Sequence, residues 1–230
     1  LQAAWLPRMA AGEAIVVLAH QERAARYQLG RCTAQATAAG SAWTVSGTKS
    51  VVAVGDQADA FIVPAMTNGQ LALFLVERSA SGVSTQGYLT QDGSRAAEVV
   101  MNQAAAQLIT LNGLTALEEA VDIGIACSCA EAVGVMDKTL AITVDYMNTR
   151  KQFGVPIGSF QALQHRMADL LLEVEQSRSA VINAAAAMDS ADRVERERAL
   201  SAAKFTIGRI GALVSEESIQ MHGGIGMTWE

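Results

Sequence analysis

The hydrophobic repeat of this chain changes once, at Asn112-Gly113. Before that point apolar residues come in short or alternating runs broken by turn residues. After it, Thr115–Arg150 runs without proline, rich in Ala, Glu, Leu and Met at helical spacing. A chain that passes from the strand period to the helix period a single time segregates its strands from its helices, so the fold class is α+β. The expected domains are a small antiparallel β-barrel or sandwich over residues 1–112 and an antiparallel helical bundle over 113–230.

Strands are expected at Ala14–Ala19, Trp43–Ser46, Val51–Val54, Ala60–Ala65, Leu71–Val76 and Val99–Met101. Between them stand Ala39-Gly40-Ser41, Ser46-Gly47-Thr48, Val54-Gly55-Asp56, Asn68-Gly69 and Asp92-Gly93. These residues favour tight turns, and their spacing suits hairpins rather than crossover units. In the second half, Thr115 followed by Glu118 has the form of a capping box opening a helix that ends near Arg150. A second helix is expected over Ser159–Asp189, entered through Pro156 and Gly158, and a third over Asp192–Met221, stopped by Gly223-Gly224. Three long helices with short links pack as an antiparallel bundle.

With 230 residues, half of them hydrophobic, the chain can bury a substantial core. Its formal charge of -6 disfavours broad contact with nucleic acid or anionic membrane, since both need a positive face. No stretch approaches the ~18 apolar residues of a membrane span. Leu1–Arg8 lacks the charged-then-apolar pattern of a secretory signal. Cys32, Cys127 and Cys129 have no second Cys/His pair beside them, so buried free thiols of a soluble cytoplasmic protein are expected and a metal site is not. The missing initiator Met and the ending at Glu230 are those expected of a piece of a longer chain.

Two stretches carry chemistry. Arg150-Lys151-Gln152-Phe153-Gly154 places a cation, an amide and an aromatic at a Gly/Pro-marked break between helices. A guanidinium there offers forked donors to a pair of phosphate oxygens and stays charged at any relevant pH. Gln152 suits hydrogen bonding to a phosphate or a base and Phe153 suits packing on a ring, against the plainer roles of loop capping and core filling. Near the C-terminus, Gln220-Met221-His222-Gly223-Gly224 sets glycines straight after a helical run, where a ligand can approach bare amides.

Together the two stretches resemble the acyl-CoA dehydrogenase family, and the likeness extends from about Leu6 to Glu230. Trp43–Lys49, Gly55 and Ala58-Asp59 look like a strand-turn-strand of the family's middle domain, and Gln161–Asp169 is similar to a string in bacterial members. The β-then-α order matches the middle and C-terminal domains, without the family's N-terminal helical domain. The resemblance implies FAD as cofactor, its pyrophosphate and adenine end held by Arg150, Gln152, Phe153, Phe160, Gln161, Gln220, Gly223 and Gly224, often across a subunit boundary. It implies an oligomer as well, an acyl-CoA substrate dehydrogenated between its α and β carbons, and an electron-transfer flavoprotein as acceptor.

The pattern breaks at the flavin ring. Where members carry a Thr-Glu-Pro-x-x-Gly-Ser-Asp-like segment, this chain has Ala19–Tyr27, and in place of a Trp-Ile-Thr-like stretch it has Val51-Val52-Ala53. The reaction needs a carboxylate base. One family position for it would lie beyond Glu230 and the other falls at Gly124, so no catalytic residue is assigned. Glu230 matches an acidic residue of the Gly-Gly loop that is not the usual base. Glu118, Glu119 and Asp122 are accounted for as a solvated helix face or as a complement to the helix dipole, and His20, His165 and His222 receive no catalytic role. Three readings stand: a dehydrogenase; a non-catalytic partner in a heteromeric dehydrogenase, like the two-subunit enzymes of bacterial steroid degradation; and a non-enzymatic acyl-CoA-binding or assembly protein. The second explains why the pyrophosphate half of the signature is present without the ring half, and the third sits poorly with that intact half.

Overall fold

The computed structural model describes residues 1–40 and 42–228, so Ser41 of the first expected turn and the Trp229-Glu230 pair lie outside the described residues. The chain divides into two compact units, Leu1–Glu119 and Ala120–Glu230.

The first unit opens with α1 (Gln2–Ala10), a helix that the sequence conceals because Pro7 lies inside it. It buries none of its residues, and the Arg8 guanidinium stands 5.0 Å from the centroid of the Trp5 ring. Seven strands follow: β1 (Val16–Leu18), β2 (Gln35–Ala39), β3 (Ala42–Ala53), β4 (Ala60–Thr67), β5 (Gln70–Glu77), β6 (Val83–Leu89) and β7 (Arg95–Thr110). Pairing runs β4-β2-β3-β7-β5 and returns to β4, closing a barrel, with β1 added on β4 and β6 on β7. Most pairs are antiparallel, as expected, but β1 and β2 both run parallel to β4. The long connections between these strands allow the chain to return in the same direction.

Trp43–Ser46 and Val51–Val54, expected as separate strands, belong to one strand through Ala53. Gly47 is therefore not a turn but a bulge, where the register to β7 skips between Val45 and Gly47. A Cβ at Gly47 would sit 2.6 Å from the Ala34 Cβ, so only glycine lets β3 lie this close. Asn68-Gly69 is the two-residue turn between β4 and β5, with φ of 48° and 80°. The barrel interior is filled by Val45, Phe61, Val63, Phe74, Val76 and Val99, and Trp43 packs tilted on Phe74 with centroids 5.2 Å apart.

Three helices build the second half: α2 (Gly113–Thr149), α3 (Gln161–Ala187) and α4 (Arg193–His222). The short hairpin β8 (Lys151–Gln152) and β9 (Val155–Pro156) lies between α2 and α3. α2 begins two residues before the expected capping box. Thr115 instead sits in its first turn and donates its hydroxyl to Asn112 Oδ1 at 3.1 Å. Asp192, expected as the start of this helix, caps α4, its carboxylate accepting from the Val194 and Glu195 amides. Met136, Leu140, Leu170, Val174, Leu200, Ile207 and Ile210 form the bundle core. Two expectations are corrected here. Asp122 is buried rather than solvated and pairs with Arg196 at 2.9 Å, and Cys127 is exposed rather than buried.

Candidate functional site

The last turn of α2 leads directly into the first chemistry-bearing stretch. The Arg150 amide donates to the Tyr146 carbonyl at 2.8 Å, and the Ile157 amide donates back to the Arg150 carbonyl at 2.8 Å, folding the hairpin against the helix end. Phe153 and Gly154 turn this hairpin with φ of 54° and 83°, the left-handed pair that a two-residue turn requires. Phe153 is 91% exposed, which removes the core-filling role for its ring. That ring meets Phe160 edge-on with centroids 6.1 Å apart, and Gln161 follows as the first residue of α3. Gln152 is exposed and donates its amide to the Lys151 carbonyl at 2.9 Å. Arg150 is exposed, and its guanidinium enters no ion pair among the described residues.

At the other stretch, α4 ends at His222 and Gly223 takes φ 64° and ψ -140°, a conformation that side chains disfavour. A Cβ placed on Gly223 or Gly224 would meet nothing within 4 Å, so both backbones face open space. Gln220 is exposed one residue before the final Met221-His222 pair.

The two stretches are joined through Tyr146 and His222. Their rings stack with centroids 4.4 Å apart and planes 24° from parallel, and the Tyr146 hydroxyl donates to the His222 carbonyl at 3.3 Å. His222 Nδ1 lies 2.8 Å from the Ser218 carbonyl. A carbonyl only accepts, so Nδ1 carries the proton. A cation without an ion pair among the described residues and two open glycine backbones thus sit at helix ends held to each other, an arrangement chemically suited to a diphosphate. Sequence reasoning passed over Tyr146, although its place one helical turn before Arg150 was visible.

In the barrel unit, Gln21, Glu22, Arg23, Arg26, Tyr27, Ser50 and Val51 line an open cavity of about 390 Å³. All of these but Ser50 come from the two segments where the family pattern breaks. Val51 is left-handed, φ 53°, and 54% exposed, while Ala53 brings no hydroxyl. Glu22 is occupied elsewhere. Its carboxylate accepts from Lys49 Nζ at 2.7 Å, the Thr33 amide at 2.7 Å, the Thr33 hydroxyl at 2.5 Å and the Ala34 amide at 3.1 Å. Burial raises the Glu22 pKa, but the Lys49 and Thr33 bonds outweigh it and hold the group at about 2. Burial, and then Lys49, lower His20, whose Nδ1 is buried without a partner. Burial pushes the neighbouring Cys32 thiol up, in line with an unreactive thiol. Gly124, where one base would fall, is exposed on α2. Among the described residues no three His, Cys, Asp or Glu side chains gather as a metal site, and no helix is long and apolar enough to cross a membrane.

The family model for the acyl-CoA dehydrogenase C-terminal domain matches residues 112–230. The acyl-CoA dehydrogenase FadE27 of Mycobacterium tuberculosis is 29% identical over 99% of this chain and 61% of its own length. The acyl-CoA dehydrogenase IpdE2 of the same organism is 35% identical over 76% of this chain and 49% of its own. Among solved structures, the ChsE4-ChsE5 complex from Mycobacterium tuberculosis superposes with a TM-score of 0.80 at 28% identity, covering 96% of this chain and 59% of the matched one. The barrel followed by a helical bundle is that of acyl-CoA dehydrogenases, and the chain belongs to the acyl-CoA dehydrogenase family. It spans 61% and 49% of the two curated relatives.

Proposed function

We propose that this protein is a subunit of an FAD-dependent acyl-CoA dehydrogenase, which forms a double bond between the α and β carbons of an acyl-CoA and passes the electrons to an electron-transfer flavoprotein. The observation that carries this reading is the corner at the ends of α2 and α4, where the exposed Arg150 and the open Gly223-Gly224 backbone are tied together by Tyr146 and His222. The diphosphate end of FAD fits these residues: Arg150 would hold phosphate oxygens, the glycine amides would approach them, and Gln152, Phe153, Phe160, Gln161 and Gln220 would border the adenine side. When bound, the flavin accepts the hydride that leaves the β carbon. Three free cysteines suit the reducing cytoplasm.

The ring end does not fit equally well. Val51-Val52-Ala53 offers no hydroxyl, Glu22 is sequestered by Lys49, and no base is identified among the described residues. This favours a second, finer reading: a non-catalytic partner in a hetero-oligomer, whose Arg150 and glycines contact the FAD held by the neighbouring subunit. The matched ChsE4-ChsE5 structure is itself a complex of two named chains, which lends support.

Flavin stoichiometry tests both. The full-length protein is expressed alone and together with the product of the adjacent gene. One FAD per chain alone, with dye-linked acyl-CoA oxidation, refutes the partner reading. Half occupancy appearing only in the heteromer supports it, and absence of flavin and of acyl-CoA oxidation in both preparations overturns the dehydrogenase assignment.

A further inference from the structure

Tyr146 touches both halves of the corner. Its main-chain carbonyl accepts the Arg150 amide at 2.8 Å, the bond that closes the last turn of α2. Its hydroxyl donates to the carbonyl of His222, the residue before Gly223, at 3.3 Å. His222 ends α4 and leads into the 3-10 turn Gly223–Met227, so a side-chain donor on its carbonyl holds the chain where it leaves the helix. The stacked imidazole adds a second constraint, since its Nδ1 is anchored on the Ser218 carbonyl at 2.8 Å. His222 is thereby held from three directions: by its own helix, by the Tyr146 ring and by the Tyr146 hydroxyl.

Packing between α2 and α4 would require only the ring. Phenylalanine would fill the same space, yet it would leave the His222 carbonyl without this donor. The hydroxyl serves the geometry of the helix end instead.

We infer that Tyr146 is a positioning residue for the dinucleotide corner, setting the spacing between the Arg150 guanidinium and the Gly223-Gly224 amides so that both engage one diphosphate. The inference rests on the FAD reading above. It assigns Tyr146 no contact with the cofactor; its effect passes through Arg150 and the glycine turn. Cost and benefit therefore depend on Arg150 being present.

The test measures FAD and ADP affinity by calorimetry on the full-length protein in its native oligomer. Tyr146→Phe is expected to weaken both ligands by about fivefold, the loss of one neutral hydrogen bond, with the melting temperature unchanged to within a few degrees. In an Arg150→Gln background the same change is expected to have no further effect. Wild-type affinity in Tyr146→Phe, or an effect that multiplies fully with that of Arg150→Gln, overturns the positioning role while leaving the corner intact. If Arg150→Gln alone leaves FAD affinity unchanged, the corner reading fails and the Tyr146 role with it. Should Tyr146→Phe not fold, 4-fluorophenylalanine in place of Tyr146 keeps the size of the ring, removes the hydroxyl donor to the His222 carbonyl and is held to the same two criteria.

Discussion

Lys49 Nζ lies 2.7 Å from Glu22 Oε1, with the two side chains 0% and 4% exposed. This buried pair ties the segment around Glu22 to β3, and its carboxylate is saturated by further donors from Thr33 and Ala34. Removing one partner would strand the other charge in the barrel. Lys49→Met is expected to destabilise the protein by about 3–5 kcal/mol at neutral pH, measured by urea unfolding.

The same pair predicts an acid limb. Glu22 is held at about 2 in the folded protein, below its ordinary 4.5. A depressed folded pKa contributes stability that is complete above the unfolded value and lost as pH falls through the folded one. Unfolding free energy is therefore expected to drop between pH 4.5 and about 2, and the deficit of Lys49→Met to shrink over that window because Glu22 is then protonated. A deficit independent of pH would contradict the assignment.

Arg150→Gln should leave the fold intact, because the side chain is exposed and supports no ion pair among the described residues. Its expected effect is on cofactor retention, a loss of roughly 10- to 150-fold in FAD affinity, the range for hydrogen bonds to a charged group. Flavin fluorescence titration reads it, and the loss should diminish at high salt.

Gly223→Ala places a Cβ where space is free but the backbone, at φ 64° and ψ -140°, resists it. The expected cost is about 1–3 kcal/mol of conformational strain. Thermal unfolding should register that cost together with weaker FAD binding; a variant as stable as the parent would mean the turn tolerates rerouting.

Val51 is a β-branched residue at φ 53°. The left-handed conformation costs an L-residue about 1–2 kcal/mol, and glycine in a strand loses about 0.5–1 kcal/mol in entropy. Val51→Gly is therefore expected to be neutral or stabilising by up to about 1.5 kcal/mol, opposite to the usual sign for glycine in a strand. Chemical denaturation decides it.

Long periodic segments were legible in the sequence. α2, α3 and α4 fall close to their expected spans because helical spacing over many residues leaves little ambiguity. β2 and β6 escaped notice: Gln35-Ala36-Thr37-Ala38-Ala39 has no large apolar residue, and β6 pairs only with β7 and is largely exposed. The barrel closure and the parallel pairs depend on long-range register, which local patterns do not encode. At the candidate site, the exposed arginine and the glycine turn announce themselves by residue type. The Tyr146–His222 stack joins positions in different helices, and the Lys49–Glu22 pair joins a loop to a strand, so neither has a local signature.

The β8–β9 turn leaves the Phe153 ring stranded in solvent by its own left-handed backbone. Such a ring has no interior to retreat into, and the water ordered around it persists until another surface arrives. Its hydration shell is a store of free energy released on further apolar contact, so this hairpin tip is a place where the molecule gains from not being alone.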